Sequence, residues 1–133
     1  FHYLLPEFNV YENLDLTLLI KGLKTKDSKD MIYSYLDKFN ISNKALKYPS
    51  QLSGGERQKI SVLRAVISKP SMVLADEPSG NLDAENSSLL VNQMQDISEE
   101  FGIKFIIATH DESFKRISNA IYEISNYKFL KNK

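Results

Sequence analysis

Residues 72–83 read MVLADEPSGNLD, and this stretch decides the fold class. An apolar run over residues 71–75 leads into two acids, as in a buried parallel strand that carries carboxylates at its C-terminal end. Asp83 then caps a long helix that ends at Gly102. Residues 104–109, KFIIAT, follow as a second buried strand. The strand–helix–strand order predicts an α/β fold with a parallel sheet.

Residues 1–48 carry only helical patterns. Apolar residues recur at helical spacing from Val10 to Lys21. After a charged loop over residues 24–30, a second apolar stripe runs from Met31 to Phe39. We therefore predict a helical part over residues 1–48 and a sheet-containing part over residues 49–133.

The sheet-containing part begins with a helix, because residues 53–56 have the S-x-x-E form of a capping box. This helix should run to about Ser68. Its predicted buried side chains are Ile60, Leu63, Ala65 and Ile67. At the other end of the chain, residues 120–125 and 128–130 have the pattern of a closing hairpin.

Composition excludes several classes of function. The chain has 133 residues, with 17 basic and 17 acidic side chains and no cysteine. A balanced charge gives no electrostatic footprint for nucleic acid. The missing cysteine excludes disulfides and thiol chemistry. No apolar run approaches the ~20 residues of a membrane span, so we expect a soluble intracellular protein with no nucleic-acid partner.

Polar residues follow both predicted strands, where ligands bind in open α/β sheets. Asp76 offers the hard oxygen ligands that Mg²⁺ prefers. Glu77 can accept a proton from a water that attacks phosphorus. His110, between Thr109 and Asp111, can donate a hydrogen bond to a phosphate oxygen. Two exposed turn acids and a structural histidine are the alternative interpretation.

A second candidate site lies at the start of the helix after Ser53. Gly54 and Gly55 let the backbone approach a ligand closely, and the free N–H groups there attract anions. Ser53 adds a hydroxyl donor. The alternative is a helix cap with a flexible entry, and the negative charge of Glu56 favours that alternative.

Three runs together indicate a family. They read LSGGERQ at residues 52–58, VLADEPSGNLD at residues 73–83 and ATHD at residues 108–111. In this order and at these intervals they resemble the nucleotide-binding domain of ABC transporters. The first run is similar to the family's signature motif. The second is similar to its Walker B strand with the following glutamate and its D-loop, and the third contains a residue similar to its switch histidine.

The resemblance implies a partial P-loop NTPase (RecA-like) core with a parallel sheet and an α-helical subdomain. Residues 1–48 would be the helical subdomain that follows the Q-loop. Residues 49–133 would be the C-terminal part of the ATPase core. The implied ligands are ATP and Mg²⁺.

The resemblance also implies roles for single residues. Asp76 would support Mg²⁺, Glu77 would be the general base, and His110 would contact the γ-phosphate. The signature and D-loop residues would contact an ATP held by the opposite subunit. The implied nucleotide-binding residues are Leu52, Ser53, Gly54, Gly55, Glu56 and Asp83.

The implied partners are a second nucleotide-binding subunit, in a dimer that sandwiches ATP, and transmembrane permease subunits. The implied location is the cytoplasmic side of the cell membrane, as a peripheral subunit. Residues 1–8, FHYLLPEF, are most similar to the ATP-binding subunits of bacterial lipoprotein-releasing systems. The macrolide-export and cell-division subgroups have similar signatures.

One family motif is missing: no G-x-x-x-x-G-K-[ST] run, the Walker A loop, occurs in the chain. We therefore expect a fragment whose Phe1 follows the Q-loop glutamine. We expect the parent protein to be an ATPase, and the chain alone to bind ATP very weakly without hydrolysing it. Two alternatives stay open. One is a soluble ABC-type ATPase of DNA maintenance or translation, and the other is a non-enzymatic half-domain that regulates or dimerises.

Overall fold

The computed structural model describes residues 4–80, 82–125 and 127–132, which form an α/β fold. The α-helices in this part are α1 (Val10–Ile20), α2 (Ser28–Lys38), α3 (Gly54–Val66) and α4 (Ala84–Phe101). The strands are β1 (Met72–Asp76), β2 (Lys104–Ala108), β3 (Tyr122–Ser125) and β4 (Lys128–Lys131). Short 3₁₀ helices cover Ser42–Lys44, Pro49–Gln51 and Glu112–Arg116.

Side-chain caps set the start of three α-helices. Asn9 begins α1 and Ser53 begins α3, each through a capping box. Asp83 begins α4 by accepting a hydrogen bond from the Asn86 N–H at 2.8 Å. At the far end of α4, Gly102 adopts the left-handed conformation with φ 66°. The predicted caps at Ser53, Asp83 and Gly102 are confirmed.

The start of α2 differs from the prediction. The helix begins at Ser28, inside the segment 24–30 that we predicted to be a loop. The Ser28 hydroxyl accepts a hydrogen bond from the Thr25 N–H at 2.7 Å. This local bond closes the turn that leads into the helix, and a pattern of apolar residues does not reveal it.

The buried face of α3 also differs in one position. Ala65 is exposed, although we predicted it to be buried. Val62 and Val66 are buried instead, beside Ile60 and Leu63. Residues three and four apart share a helix face, and Ala65 lies outside the face that these four residues form.

The two parallel strands pair along their full lengths, as predicted. The prediction that both are fully buried is wrong, because exposed residues alternate with half-buried ones. On one face, Leu74 is 75% and Ile106 is 56% exposed. On the other face, Val73, Phe105 and Ile107 pack against the hydrophobic core. The helices in the described part of the chain cover only this second face.

One hydrophobic cluster joins the helical part to the sheet-containing part. It includes Leu14, Leu18, Ile32, Leu36, Ile60, Leu63, Leu90, Met94 and Ile97. The predicted antiparallel hairpin is confirmed, with β3 paired to β4. The division between residues 1–48 and 49–133 stays a prediction, since the cluster has members on both sides. Within the described ranges, no helix has both the length and the apolar character needed to cross a membrane.

Candidate functional site

Asp76 and Glu77 lie where β1 ends. Asp76 is the last residue of the strand and is exposed. Glu77 has a left-handed backbone with φ 44°, a conformation that costs a residue with a side chain about 1–3 kcal/mol. Its N–H donates to the carbonyl of Ala108, the last residue of β2, at 2.8 Å. This bond holds the turn after β1 against the neighbouring strand.

Both carboxylate oxygens of Glu77 accept hydrogen bonds from the segment after β2. The Thr109 hydroxyl donates to Oε2 at 2.8 Å. The backbone N–H of His110 donates to Oε1 at 3.0 Å. The structure therefore brings together Glu77 and His110, which are 33 residues apart in sequence. His110 is exposed at the same edge of the sheet.

Asp111 joins this segment to the loop after β1 and to α4. Its carboxylate accepts hydrogen bonds from the Ser79 hydroxyl at 2.6 Å, from the Ser87 hydroxyl, and from the Ser113 N–H at 2.9 Å. Ser79 and Ser87 are buried. Hydrogen bonds from Ser113 first, then from Ser79 and Ser87, hold the pKa of the Asp111 carboxyl well below its usual range. Asp111 is therefore a fixed negative charge that orders three segments.

The residues of the second candidate site lie at the start of α3. The Ser53 hydroxyl accepts a hydrogen bond from the Glu56 N–H at 3.2 Å, and Glu56 accepts one from the Ser53 N–H at 2.7 Å. Lys44 forms an ion pair with Glu56 at 3.0 Å. The Ser53 N–H, followed by Lys44, lowers the pKa of the Glu56 carboxyl. The predicted capping box is confirmed, and a cation partly balances its negative charge.

The two glycines of this turn have different surroundings. A methyl group at Gly54 would meet no atom within 4 Å. A methyl group at Gly55 would lie 2.9 Å from Cδ2 of Leu82. A side chain at Gly55 would therefore displace the end of Leu82, whereas Gly54 is free of packing constraints.

A cleft of about 270 Å³ separates the start of α3 from the start of α4. It is lined by Ser53, Gly55, Glu56, Lys59, Leu82, Asp83 and Asn86. Hydrogen bonds from Asn86 are the main reason that the pKa of the Asp83 carboxyl is lowered, and Lys59 adds a favourable charge. The structure thus gathers four of the six predicted nucleotide-binding residues around one cleft.

Leu52 differs from the other predicted nucleotide-binding residues. Its side chain is 5% exposed and belongs to the hydrophobic core. Its carbonyl accepts a hydrogen bond from the Arg57 guanidinium at 2.9 Å. Only its backbone is therefore available to a ligand.

Comparison with known proteins identifies the family. A family model described as "ABC transporter" matches residues 1–80 of the chain. The chain belongs to the ABC transporter family. The match ends within the loop after β1, so it includes the start of α3, Asp76 and Glu77.

Curated relatives of this ABC transporter chain include lipoprotein-releasing system ATP-binding proteins named LolD. The one from Buchnera aphidicola subsp. Acyrthosiphon pisum (strain APS) is 44% identical over 126 residues, which is 95% of this chain and 55% of the relative. The one from Blochmanniella floridana is 45% identical, over 95% of this chain and 54% of the relative. The ABC transporter ATP-binding protein YtrE of Bacillus subtilis (strain 168) is 37% identical, over 91% of this chain and 52% of the relative. The chain therefore spans about half the length of these relatives.

Solved cassettes share the fold. The dimeric post-hydrolysis state of the ATP-binding cassette MJ0796 bound to ADP and Pi has a TM-score of 0.83 at 23% identity, covering 99% of this chain and 60% of that one. A second dimeric structure of MJ0796, a bacterial ABC transporter cassette, has a TM-score of 0.77 at 26% identity, covering 91% and 54%. The predicted α/β fold, similar to that of ATP-binding cassettes, is confirmed.

The chemistry of the donors limits how a metal could bind to this ABC transporter chain. The described ranges contain no group of three or more His, Cys, Asp or Glu side chains placed to hold a metal ion. Asp76 offers one exposed carboxylate at the end of β1. This fits Mg²⁺, which binds to one or two carboxylates and completes its coordination with water and substrate phosphates.

Sequence reasoning assigned no role to several residues that order the site. These are Thr109, Asp111, Ser87 and Lys59; Ser79 was identified only as part of the run that is similar to the D-loop. Thr109 is the last residue of a predicted strand and Asp111 lies just after it, and this position was the available signal. The two serines meet Asp111 across 32 and 24 residues of sequence, so no local pattern indicates these contacts.

Proposed function

We propose that this chain forms the signature, Walker B and switch part of the ATP-hydrolysing subunit of an ABC transporter. The observation that carries the proposal is the contact between Glu77 and the His110 segment at the carboxyl ends of two parallel strands. Catalytic groups of open α/β folds lie at this edge. The family membership and the dimeric cassettes with the same fold support it.

In the proposed reaction, Glu77 accepts a proton from the water that attacks the γ-phosphate. Both of its oxygens already receive hydrogen bonds, which hold the carboxylate in one orientation. His110 donates a hydrogen bond to a γ-phosphate oxygen. Asp76 would hold Mg²⁺, which would supply positive charge to neutralise the phosphates.

The start of α3 supplies the contact to the second ATP of the proposed dimer. Its free N–H groups and the Ser53 hydroxyl favour an anionic ligand. Gly54 leaves open space where a phosphate can approach the backbone. Asp83, at the far side of the cleft, approaches the partner subunit's site. Leu52 contributes only backbone, and Glu56 keeps the turn closed.

Hydrolysis needs a Walker A loop, and the chain contains no G-x-x-x-x-G-K-[ST] run. We propose that a further segment, such as the part of the relatives that this chain does not match, supplies the loop. The helical segment within residues 1–48 then acts as the subdomain that bears on the membrane subunits.

The test is ATP hydrolysis by the complete protein that contains this chain, purified with and without Glu77→Gln. We expect Glu77→Gln to lower kcat about 100-fold or more, because the general base is lost, and to retain ATP binding. Glu99→Gln is the matched control, since Glu99 is exposed near the end of α4 and accepts a single hydrogen bond from Gln95. Equal kcat for both variants would contradict the role of Glu77.

The transported substrate is a further part of the proposal. The relatives named as lipoprotein-releasing system ATP-binding proteins support lipoprotein release, or a related export process, at the inner membrane as the process that this subunit powers. We propose that it is a peripheral subunit on the cytoplasmic side of that membrane, with transmembrane permease subunits as partners. The test is co-purification with permease subunits, followed by release of a lipoprotein from proteoliposomes on addition of ATP. Co-purification without lipoprotein release would favour another transported substrate. Failure to co-purify would favour a soluble ABC-type ATPase.

A non-enzymatic half-domain is the second candidate, and the missing Walker A run favours it. The 133-residue chain should then associate with a complete cassette and alter its ATPase rate. Titration of the chain into a complete cassette tests this directly. An unchanged rate at saturating chain would exclude the regulator.

A further inference from the structure

Thr109 is the one side chain in the described part of the protein that donates a hydrogen bond to the Glu77 carboxylate. Its hydroxyl lies 2.8 Å from Oε2 of Glu77. The other donor, at 3.0 Å, is a backbone N–H of His110, which every residue except proline supplies. Of these two hydrogen bonds to Glu77, only the one from Thr109 therefore depends on which side chain is present.

The direction of the Thr109 hydroxyl is itself fixed. A hydroxyl has one hydrogen to donate and two lone pairs that accept. The Asp111 N–H donates to the Thr109 oxygen at 3.0 Å, so the hydrogen of Thr109 is left to point at Glu77. Asp111 cannot shift easily, since Ser79, Ser87 and the Ser113 N–H hold its carboxylate.

An ionised carboxylate has about four lone-pair sites. Thr109 and the His110 N–H occupy one site on each oxygen of Glu77. The remaining sites are free to accept a proton, and their direction is set by the two occupied sites. Loss of the Thr109 hydroxyl would leave one oxygen without its donor and allow the carboxylate to rotate.

We propose that Thr109 is a positioning residue, whose hydroxyl orients the Glu77 carboxylate toward the attacking water. The inference rests on the proposed role of Glu77 as general base. Because Thr109 acts through Glu77, its removal should affect the chemical step and leave ATP binding nearly unchanged.

The experiment compares Thr109→Val with Thr109→Ser in the complete ATPase. Valine has nearly the same shape without the hydroxyl, whereas serine keeps the hydroxyl. We expect Thr109→Val to lower kcat roughly 10- to 100-fold, the loss typical of a hydrogen bond to a charged group. The KM for ATP of Thr109→Val should stay within about twofold of that of the unmodified protein. Thr109→Ser should keep kcat close to the unmodified value.

Thr17→Val is the matched control, because the Thr17 hydroxyl donates to the Asn13 carbonyl at 3.2 Å within α1. It removes a hydroxyl hydrogen bond far from Glu77 in sequence, and kcat should not change. Circular dichroism checks folding. If Thr109→Val fails to fold, Thr109→Ala tests the same hydroxyl with less side-chain volume.

A double-mutant cycle separates positioning from a general structural role. In a Glu77→Gln background, Thr109→Val should cause no further loss of kcat. Three results would overturn the positioning role. They are additive losses in the double variant, an unchanged kcat for Thr109→Val, and a kcat for Thr109→Ser as low as that for Thr109→Val. If Glu77→Gln alone leaves kcat unchanged, the proposed function fails at the base itself. Loss with Glu77→Gln but not with Thr109→Val refutes only the role of Thr109.

Discussion

Replacement of Gly54 by alanine should stabilise this chain, although Gly54 belongs to the most recognisable motif. The position is helical, its φ is not positive, and a methyl group there meets no atom within 4 Å. Alanine therefore fits without strain and reduces the conformational entropy of the unfolded chain. We expect a gain of about 0.4–1 kcal/mol in the free energy of unfolding.

Gly55→Ala is the internal comparison. The new methyl group would lie 2.9 Å from Cδ2 of Leu82, so this side chain must move. Because Cδ2 is the end of a flexible side chain, the cost of moving it should roughly cancel the entropic gain. We expect Gly55→Ala to be close to neutral, about 0.5–1 kcal/mol less stable than Gly54→Ala.

Urea denaturation of the chain measures both changes. With a slope near 2 kcal/mol/M, Gly54→Ala should raise the midpoint by about 0.2–0.5 M. A lower midpoint would contradict the conclusion that Gly54 is free of packing constraints. In the complete ATPase, the same variant should lower activity, since the methyl group occupies the proposed approach of the phosphate. A more stable variant with full activity would refute the phosphate contact and leave only the helix cap.

Two further predictions concern Asp111 and the exposed sheet face. The folded-state pKa of the Asp111 carboxyl lies below its unfolded value, so its stabilisation is present above about pH 4 and lost as pH falls further. Asp111→Asn should thus cost about 1–3 kcal/mol at pH 7. The difference in urea midpoint between the two proteins should be constant above about pH 5 and should narrow without vanishing between about pH 4 and pH 3, because the folded carboxyl stays ionised there; an unchanged difference at pH 3 would contradict this. Leu74 and Ile106 form an uncovered apolar face, through which we expect the chain to self-associate. Leu74→Lys should reduce self-association, measured by sedimentation, without lowering the urea midpoint. Unchanged self-association would contradict the role of this face.

Local chemistry determined which parts of the fold could be predicted. Ser53 and Asp83 begin helices through bonds to residues nearby in sequence, Gly102 ends one through its left-handed backbone, and all three predictions are confirmed. The strands were also located correctly, but their burial was not. An apolar run such as residues 72–75 indicates two faces that can be buried, whereas burial depends on what covers each face. Helices cover one face in the described part, so Leu74 is exposed.

The candidate site divides in the same way. Asp76, Glu77 and His110 could be proposed because they follow strands, and parallel strands place their carboxyl ends together. Glu77 is bound by Thr109 and the His110 N–H, and the neighbouring Asp111 is held by serines distant in sequence. Ser87 lies on α4, one helical turn after Asp83, and its position gives no sign of a bond to Asp111. Such long-range polar contacts need the three-dimensional fold, since no period in the sequence encodes them.

The loop between β1 and α4 connects the two groups of candidate residues. It carries Glu77 at one end and Asp83 at the other. In the described part of the chain, four contacts hold this loop: the bond from the Glu77 N–H to the Ala108 carbonyl, the bond from Ser79 to Asp111, the bond from the Gln58 amide of α3 to the Pro78 carbonyl, and the packing of Leu82 against Gly55. Two of these contacts, from Gly55 to Leu82 and from Gln58 to Pro78, join the loop to α3, while Ser79 ties it to Asp111. This arrangement explains how a ligand at the start of α3 could influence a carboxylate that it does not touch.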